Sequence, residues 1–228
     1  MVKYDAMATE TTKNQTLRLT ETFLSIQGET SLTGLPTTFI RLASCNLRCT
    51  WCDTPYSFGR GDSVPIDQII ETVANNGASH VCVTGGEPLL QKNVYLLMSA
   101  LCEMGYTVSL ETGGSLSTEE VDQRVITILD IKCPGSGMSQ KNLWQNLSIL
   151  KEHDEVKFVI LDQSDYDWSV QVCKEHKLFS RSKPPLFSPV HQKLDPQNLI
   201  QWVLRDNLPV RVNLQIHKWV WSPETKGV

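Results

Sequence analysis

The sequence lacks any apolar run of the about 18–20 residues that a membrane-spanning helix needs. Its first residues also lack the apolar core of a secretory signal peptide. Basic residues are not in excess, since 21 Lys and Arg stand against 25 Asp and Glu, for a formal net charge of -4. Because nucleic acid and anionic lipid bind basic surfaces, we expect neither nucleic acid nor a membrane as a partner.

Cysteines paired as in small secreted proteins are not expected either. The chain has seven cysteines, an odd number, and its 228 residues are enough to bury a core without disulfides. We therefore expect free thiols and a cytoplasmic protein. Residues 1–17 show no periodicity and no linker interrupts the rest, which predicts a flexible leader over 1–17 and a single domain over 18–228.

Strands are predicted over 18–26 and 37–43, and after residue 52 the order strand, connection and helix recurs. The later predicted strands span 80–84, 106–110, 125–131, 156–161, 186–190 and 210–216. The predicted helices lie between Pro65 and Gly77 and over 94–104, 143–150, 166–176 and 198–205, with a short one after a capping box at 117–120. About six βα units indicate an α/β fold with a parallel sheet. Because a complete eight-unit barrel needs ~250 residues, we predict a shortened or open (partial) TIM-like barrel.

Cys45, Cys49 and Cys52 fall within eight residues, and the next cysteine, Cys82, lies 30 residues further on. Three thiolates are one fewer than the four that usually complete a structural zinc site or an ordinary iron–sulfur site. The spacing therefore favours a 4Fe-4S cluster with three cysteine ligands and an open fourth iron. The alternatives are a zinc site, with Cys49 and Cys52 as one ligand pair and His80 and Cys82 as the second, and inert thiols that bind no metal.

Other polar and glycine-rich segments also follow predicted strands directly. They are Thr-Gly-Gly-Glu-Pro at 84–88, Glu-Thr-Gly-Gly at 111–114 and Lys-Cys-Pro-Gly at 132–135. In parallel α/β folds the active site lies at the C-terminal ends of the strands. We therefore predict that these segments and the cysteines meet at one edge of the sheet.

The three cysteines, with Trp51 before the last of them, resemble the signature of the radical S-adenosylmethionine superfamily, and residues 84–88 resemble its Gly-Gly-Glu-Pro motif. The resemblance implies that the open iron binds S-adenosylmethionine and that one electron cleaves it to a 5′-deoxyadenosyl radical. The residues that we expect to contact S-adenosylmethionine are Trp51, Cys52, Asp53, Gly86, Glu87, Glu111 and Lys132.

Four segments resemble the 7-carboxy-7-deazaguanine synthase family more narrowly. They are Ser-Ile-Gln-Gly-Glu at 25–29, Phe-Ile-Arg-Leu at 39–42, Cys-Asp-Thr at 52–54 and Gln-Ile-His-Lys at 215–218. The resemblance implies a lyase that makes a deazapurine precursor of queuosine. Such an enzyme contracts the ring of 6-carboxy-5,6,7,8-tetrahydropterin to form 7-carboxy-7-deazaguanine and releases ammonia.

The family resemblance also assigns Thr54 to Mg²⁺ and Arg41 to the substrate carboxylate. The residues that it places against the substrate are Ile26, Gln27, Gly28, Arg41, Thr84, Gln215, His217 and Val228. Two segments depart from the family pattern, namely 130–134, where many relatives have Ser-Pro-Lys, and the tail at 219–228. No general base is assigned.

Two other functions remain open at this point. A glycyl-radical-enzyme activase shares the cysteine spacing but would give Gln27, Glu29 and Arg41 no purpose. A zinc-stabilised binding module would have no catalysis. For the synthase, the resemblance implies a homodimer and an electron donor such as a flavodoxin or ferredoxin.

Overall fold

The computed structural model describes residues 12, 14–222 and 225–227, and within this part nine strands form one sheet. The strands are β1 (Thr16–Ile26), β2 (Pro36–Leu42), β3 (Asp62–Pro65), β4 (His80–Gly85), β5 (Thr107–Thr112), β6 (Ile126–Ile131), β7 (Glu155–Ile160), β8 (Leu186–Pro189) and β9 (Arg211–Val212). The α-helices are α1 (Ile66–Asn76), α2 (Asn93–Glu103), α3 (Gln163–Glu175), α4 (Pro196–Arg205) and α5 (His217–Val220). Short 3₁₀ helices span Pro55–Phe58, Pro88–Leu90, Pro134–Ser136, Ser139–Lys141, Trp144–Ser148 and Leu178–Ser180. None of the described helices is long and apolar enough to cross a membrane.

The strand order is β3-β1-β2-β4-β5-β6-β7-β8-β9, with β3 and β9 at the two edges, so the sheet is open. From β2 through β4 to β9 all neighbours are parallel, as predicted. β1 instead pairs antiparallel with β2 and with β3, an edge strand that the sequence pattern does not predict. The connection between β1 and β2 is too short for a parallel crossover, so the first two strands form a hairpin.

Alternating side chains give the sheet an apolar face and a polar face. On β7, Val156, Phe158 and Ile160 are buried in the core, whereas Lys157 and Val159 line a cavity on the other face. Helices α1 to α4 pack on the apolar face, as the i, i+3, i+4, i+7 spacing of the apolar residues in α1 predicts. The polar face is thereby left open to ligands.

The capping box at 117–120 opens no helix, which corrects the prediction. The Ser117 hydroxyl accepts a hydrogen bond from the Glu119 amide at 3.2 Å, and the Thr118 amide donates to the Asn146 side chain at 3.1 Å. Such local bonds offer the backbone an alternative to a helix, and here they hold a turn.

Two further predicted elements are shorter than expected. The helix predicted over 143–150 is one 3₁₀ segment, Trp144–Ser148. The strand predicted over 210–216 is reduced to β9, and the chain then turns into α5. The Gln215 side-chain amide donates to Glu29 at 2.6 Å, and both residues line the cavity, so this segment forms part of the cavity wall and does not extend the sheet.

The predicted leader overlaps the folded domain. β1 begins at Thr16, the Gln15 carbonyl accepts the Ile66 amide at 2.9 Å, and buried Thr12 donates to Asp67 at 2.9 Å. The boundary at residue 17 is therefore too late, because these residues pack on α1. Residues 1–11 and 13 lie outside the described residues.

Candidate active site

The C-terminal ends of the parallel strands surround a cavity of about 610 Å³. This size suits small organic ligands, and the cysteine segment meets the segments after β4, β5 and β6 there. The residues with a predicted ligand role that line it are Ile26, Gln27, Gly28, Arg41, Cys45, Cys49, Trp51, Cys52, Asp53, Thr54, Thr84, Gly86, Glu111, Lys132, Gln215 and His217. The structure thus brings together residues that are far apart in the sequence.

The cysteine segment leaves β2 and folds into a loop along the cavity wall. Ser44 turns the chain in a left-handed backbone conformation, with φ of 74°. Beyond it, the Leu47 amide donates to Cys45 Sγ at 3.4 Å, and the Thr50 amide donates to the Ser136 carbonyl at 3.0 Å. The three thiols of the segment are partly buried and face the cavity.

Gly86 lets the loop after β4 lie directly against the cysteine loop. A Cβ atom at this position would lie 2.1 Å from the Ser44 carbonyl oxygen and 2.8 Å from Cys45 Cβ. The Gly86 amide donates to the Leu42 carbonyl at 3.0 Å, and the next amide donates to Ser44 at 2.9 Å. A side chain here would push the two loops apart.

Glu87 has a different position from the one predicted. Its side chain is completely buried, outside the cavity lining, and it accepts hydrogen bonds from the Leu89 amide, the Thr112 hydroxyl and the Gly113 amide at 2.8–3.1 Å. Burial raises the pKa of this carboxyl in spite of these donors. Glu87 joins the loops after β4 and β5, and so supports the site from outside the cavity lining.

The described residues include no set of three or more His, Cys, Asp or Glu side chains placed around a single metal ion. His80 and Cys82, which the zinc alternative requires, are both buried in β4, where His80 Nδ1 lies 2.9 Å from the Thr37 hydroxyl. The structure therefore gives the zinc alternative no second ligand pair.

Arg41 extends from β2 into the cavity. Its Nε donates to Glu21 at 2.8 Å, and the Tyr56 hydroxyl donates to the same carboxylate oxygen at 2.8 Å. The guanidinium lies 5.8 Å from the ring centre of Phe23 and 5.9 Å from that of Tyr56. Burial opposes the charge, but Tyr56 and Glu21 keep the pKa of Arg41 above its ordinary value. The site therefore holds a permanent, oriented cation.

A second buried cation, Lys157 on β7, was not among the predicted site residues. Its ammonium lies 2.5 Å from a Glu29 carboxylate oxygen, and Gln215 and Asn213 also donate to that carboxylate. Burial opposes both charges, but Glu29 and neighbouring carboxylates raise the pKa of Lys157, and Lys157 lowers that of Glu29. A lysine that lies between the apolar residues Val156 and Phe158 of β7 was the sequence signal for it.

Glu111 lies next to the last residue of β5 and faces the cavity, as expected. Its carboxylate accepts hydrogen bonds from Gln27 Nε2 at 3.4 Å and from the Thr84 hydroxyl at 3.0 Å. Burial and the charge of Glu29 raise the pKa of Glu111, and Lys157 only partly offsets them. Its two partners are residues predicted to contact the substrate, not S-adenosylmethionine.

An ion pair joins the cysteine loop to α5. Lys218 Nζ donates to Asp53 at 2.7 Å and to the Gln215 side chain at 2.8 Å. Partial burial opposes the Asp53 charge, but Lys218 lowers the pKa of Asp53 to about 2. At the end of β6, Lys132 pairs with Asp130 at 3.0 Å. The cavity lining thus carries both of these ion pairs, and the first of them connects two separate segments.

The C-terminal tail also reaches the cavity. Thr225, Lys226 and Gly227 line it, and Lys226 Nζ lies 4.4 Å from the centre of the Tyr56 ring. Val228, which was predicted to contact the substrate, lies outside the described residues.

Comparisons with known proteins agree with this geometry. Residues 40–130 match the family model described as the radical SAM superfamily. The 7-carboxy-7-deazaguanine synthase of Koribacter versatilis is 42% identical, over 93% of this chain and 100% of its own. The 7-carboxy-7-deazaguanine synthase of Chlorobaculum tepidum is 43% identical, over 93% of this chain and 97% of the relative's length. The crystal structure of QueE from Escherichia coli superposes with a TM-score of 0.70 at 22% identity, over 88% of this chain and 94% of that one, which supports the fold.

Proposed function

Because the chain belongs to the 7-carboxy-7-deazaguanine synthase family of radical SAM enzymes, we propose that it converts 6-carboxy-5,6,7,8-tetrahydropterin to 7-carboxy-7-deazaguanine and ammonia. The observation that carries the proposal is the single cavity in which the cysteine loop meets a second wall of buried polar side chains. Since a carbon–nitrogen bond breaks without hydrolysis, the enzyme is a lyase.

Cys45, Cys49 and Cys52 fit a 4Fe-4S cluster with one open iron. Their thiols line the cavity together, and a backbone amide already donates to Cys45 Sγ, as is common for cluster sulfurs. Burial raises the pKa of the Cys45 and Cys49 thiols, so each releases a proton on binding iron. The cluster and S-adenosylmethionine would supply hydrogen-atom abstraction, with Trp51, Asp53 and Gly86 beside the cofactor.

Magnesium is the third proposed cofactor, and Thr54 is its proposed ligand. The Thr54 hydroxyl lies in the cavity wall, 3.9 Å from Cys52 Sγ, next to the ion pair of Asp53. Mg²⁺ prefers oxygen ligands and keeps several waters, so one hydroxyl and the substrate carboxylate would complete a site here.

The remaining wall would bind the pterin. Gln27 and Thr84 offer an amide and a hydroxyl for its ring, and Arg41 offers a fixed cation for its carboxylate. We further propose that the enzyme works in the cytoplasm as a homodimer and takes its electron from a flavodoxin or ferredoxin.

The proposal is tested by incubating the reduced, cluster-loaded protein anaerobically with S-adenosylmethionine, Mg²⁺ and the carboxypterin. We expect 7-carboxy-7-deazaguanine and ammonia in equal amounts by mass spectrometry and ammonia assay. Cofactor cleavage without deazaguanine would retain the superfamily and reject the substrate. Omitting Mg²⁺ is expected to slow product formation.

Replacing Arg41 with methionine is expected to weaken binding of 6-carboxypterin, a fluorescent aromatic analogue, by about 10- to 100-fold, because one charged hydrogen-bond partner is lost. Binding of pterin without the carboxylate should change little. Fluorescence titration of both ligands measures the difference. Equal losses for the two ligands would contradict the assignment of Arg41 to the carboxylate.

Replacing Gly28 with alanine is expected to raise the KM for the carboxypterin on the order of tenfold, since small displacements of a binding group are costly. The new Cβ would lie 2.0 Å from His217 Nδ1, so His217 must move. The control is His217→Ala, alone and combined with Gly28→Ala. If the clash is the cause, the double variant has the KM of His217→Ala; additive effects would contradict it.

A further inference from the structure

The proposed reaction requires a proton transfer for which no residue has been assigned. In the tetrahydropterin, C7 carries two hydrogens, and the aromatic product retains one of them. The departing amine leaves as ammonia, which carries one more proton than the amine group. One proton must therefore pass from carbon to nitrogen within the cavity, and this requirement rests on the proposed function.

Among the described residues, four carboxylates line the cavity, namely Glu29, Asp53, Glu111 and Asp130. Three of them have a lysine partner, because Glu29 lies 2.5 Å from Lys157, Asp53 2.7 Å from Lys218 and Asp130 3.0 Å from Lys132. A paired carboxylate is stabilised in its charged form and is a poor proton acceptor. Among the described residues, no ion pair engages Glu111.

The position of Glu111 suits a proton acceptor. The Gln27 amide and the Thr84 hydroxyl both donate to its carboxylate, and the same two side chains are those proposed to bind the pterin. The carboxylate is therefore oriented and lies within the ring-binding wall. A general base must be held within hydrogen-bond reach of the proton it takes, and these contacts provide that placement.

The electrostatic surroundings agree with this role. Glu111 faces Glu29 from the loop after β1, Arg41 from β2, Thr84 and Cys82 from β4, and Lys157 from β7. Burial and Glu29 outweigh the cations, so the pKa of Glu111 is raised from its ordinary value. A carboxyl with a raised pKa accepts a proton from carbon more readily than an ordinary one.

We propose that Glu111 moves this proton from C7 of the ring to the departing nitrogen. The C7–H bond breaks, its electron pair enters the forming aromatic ring, and the proton passes to a Glu111 carboxylate oxygen. The carbon–nitrogen bond breaks with its pair on nitrogen, and Glu111 returns the proton to that nitrogen. Ammonia leaves, the carboxylate is restored, and no further reactant is needed.

The test is Glu111→Gln, which keeps the size and hydrogen bonding of the side chain but cannot accept the proton. We expect product formation to fall by about 10²- to 10⁴-fold, the usual contribution of a general base. Deuterium should still pass from substrate labelled at C6 into S-adenosylmethionine, and 6-carboxypterin should still bind the protein, as followed by fluorescence. Hydrogen abstraction and proton transfer would thus be separated.

Two comparisons make the result decisive. Wild-type product formation should lose rate at acid pH as Glu111 is protonated, and the residual rate of Glu111→Gln should lack that dependence. Thr84→Val, which removes one donor but keeps the carboxylate, should have the smaller effect. The proposal is overturned if Glu111→Gln makes product at nearly the wild-type rate, or if it loses 6-carboxypterin binding and deuterium transfer together with product. Absence of product from the wild type would instead reject the proposed function.

Discussion

The Cys49→Ala variant is expected to lose its iron–sulfur cluster and to make product more than about 1,000-fold more slowly than the wild type. The cluster would be held by three thiolates only, and one iron is already open, so the loss of a single ligand leaves two. In the part of the chain that the structure describes, no other thiol reaches the cavity beside them except buried Cys133. Because hydrogen abstraction is the chemistry of the cofactor, residual binding of substrate cannot replace it.

The matched control is Cys102→Ala, since Cys102 is a partly buried thiol of α2 outside the cavity lining. Both variants are purified anaerobically, and iron, sulfide, visible absorption and product are measured. Cys102→Ala should keep its iron, its sulfide, its visible absorption and its product formation, whereas Cys49→Ala should lose each of them. A Cys49→Ala protein with full iron content and activity would show that Cys49 is not a cluster ligand.

The Lys157→Met variant is expected to lose about 3–5 kcal/mol of unfolding free energy, because it leaves the buried Glu29 carboxylate without its cation. Glu29, which is buried, and Glu111, which is partly buried, would then be two like charges in one cavity. The stability deficit should shrink as the pH falls through the pKa of the unpaired Glu29, which burial now raises above its unfolded value. Denaturant unfolding at several pH values measures both effects.

The double variant Lys157→Met with Glu29→Gln separates stability from function. Without the unpaired charge, most of the lost unfolding free energy should return, because a neutral amide costs less to bury than a carboxylate. Binding of 6-carboxypterin should remain weaker than in the wild type, since Gln215 and Asn213 would have lost the carboxylate that accepts their hydrogen bonds. A double variant as unstable as Lys157→Met would show that the pair does not act through its charge.

Local features of the site could be predicted, because each depends on residues that lie close together in the sequence. The cysteine loop and Gly86 follow strands in the sequence, Arg41 lies near the end of β2, and the C-terminal edge of a parallel sheet brings them together. Helix α1 was predictable for the same reason, since its apolar spacing and the following Gly77 are local.

Long-range pairings could not be predicted in this way. Lys157 meets Glu29 across 128 positions, and the sequence around either residue does not identify the other as its partner. Glu87 was predicted incorrectly for another reason. Its motif indicates a ligand contact, but its carboxylate accepts hydrogen bonds from the protein itself, such as the one from the Gly113 amide. The capping box at 117–120 failed because Asn146, distant in sequence, takes the Thr118 amide.

We propose that one cavity places the pterin beside the cofactor held by the cysteine loop. The most direct measurement is turnover of 6-carboxy-5,6,7,8-tetrahydropterin deuterated at C6, with mass analysis of the product and of the recovered S-adenosylmethionine. We predict 7-carboxy-7-deazaguanine together with deuterium in the recovered S-adenosylmethionine, because the hydrogen passes directly between the two ligands. Formation of product with no deuterium in S-adenosylmethionine or 5′-deoxyadenosine would contradict the account.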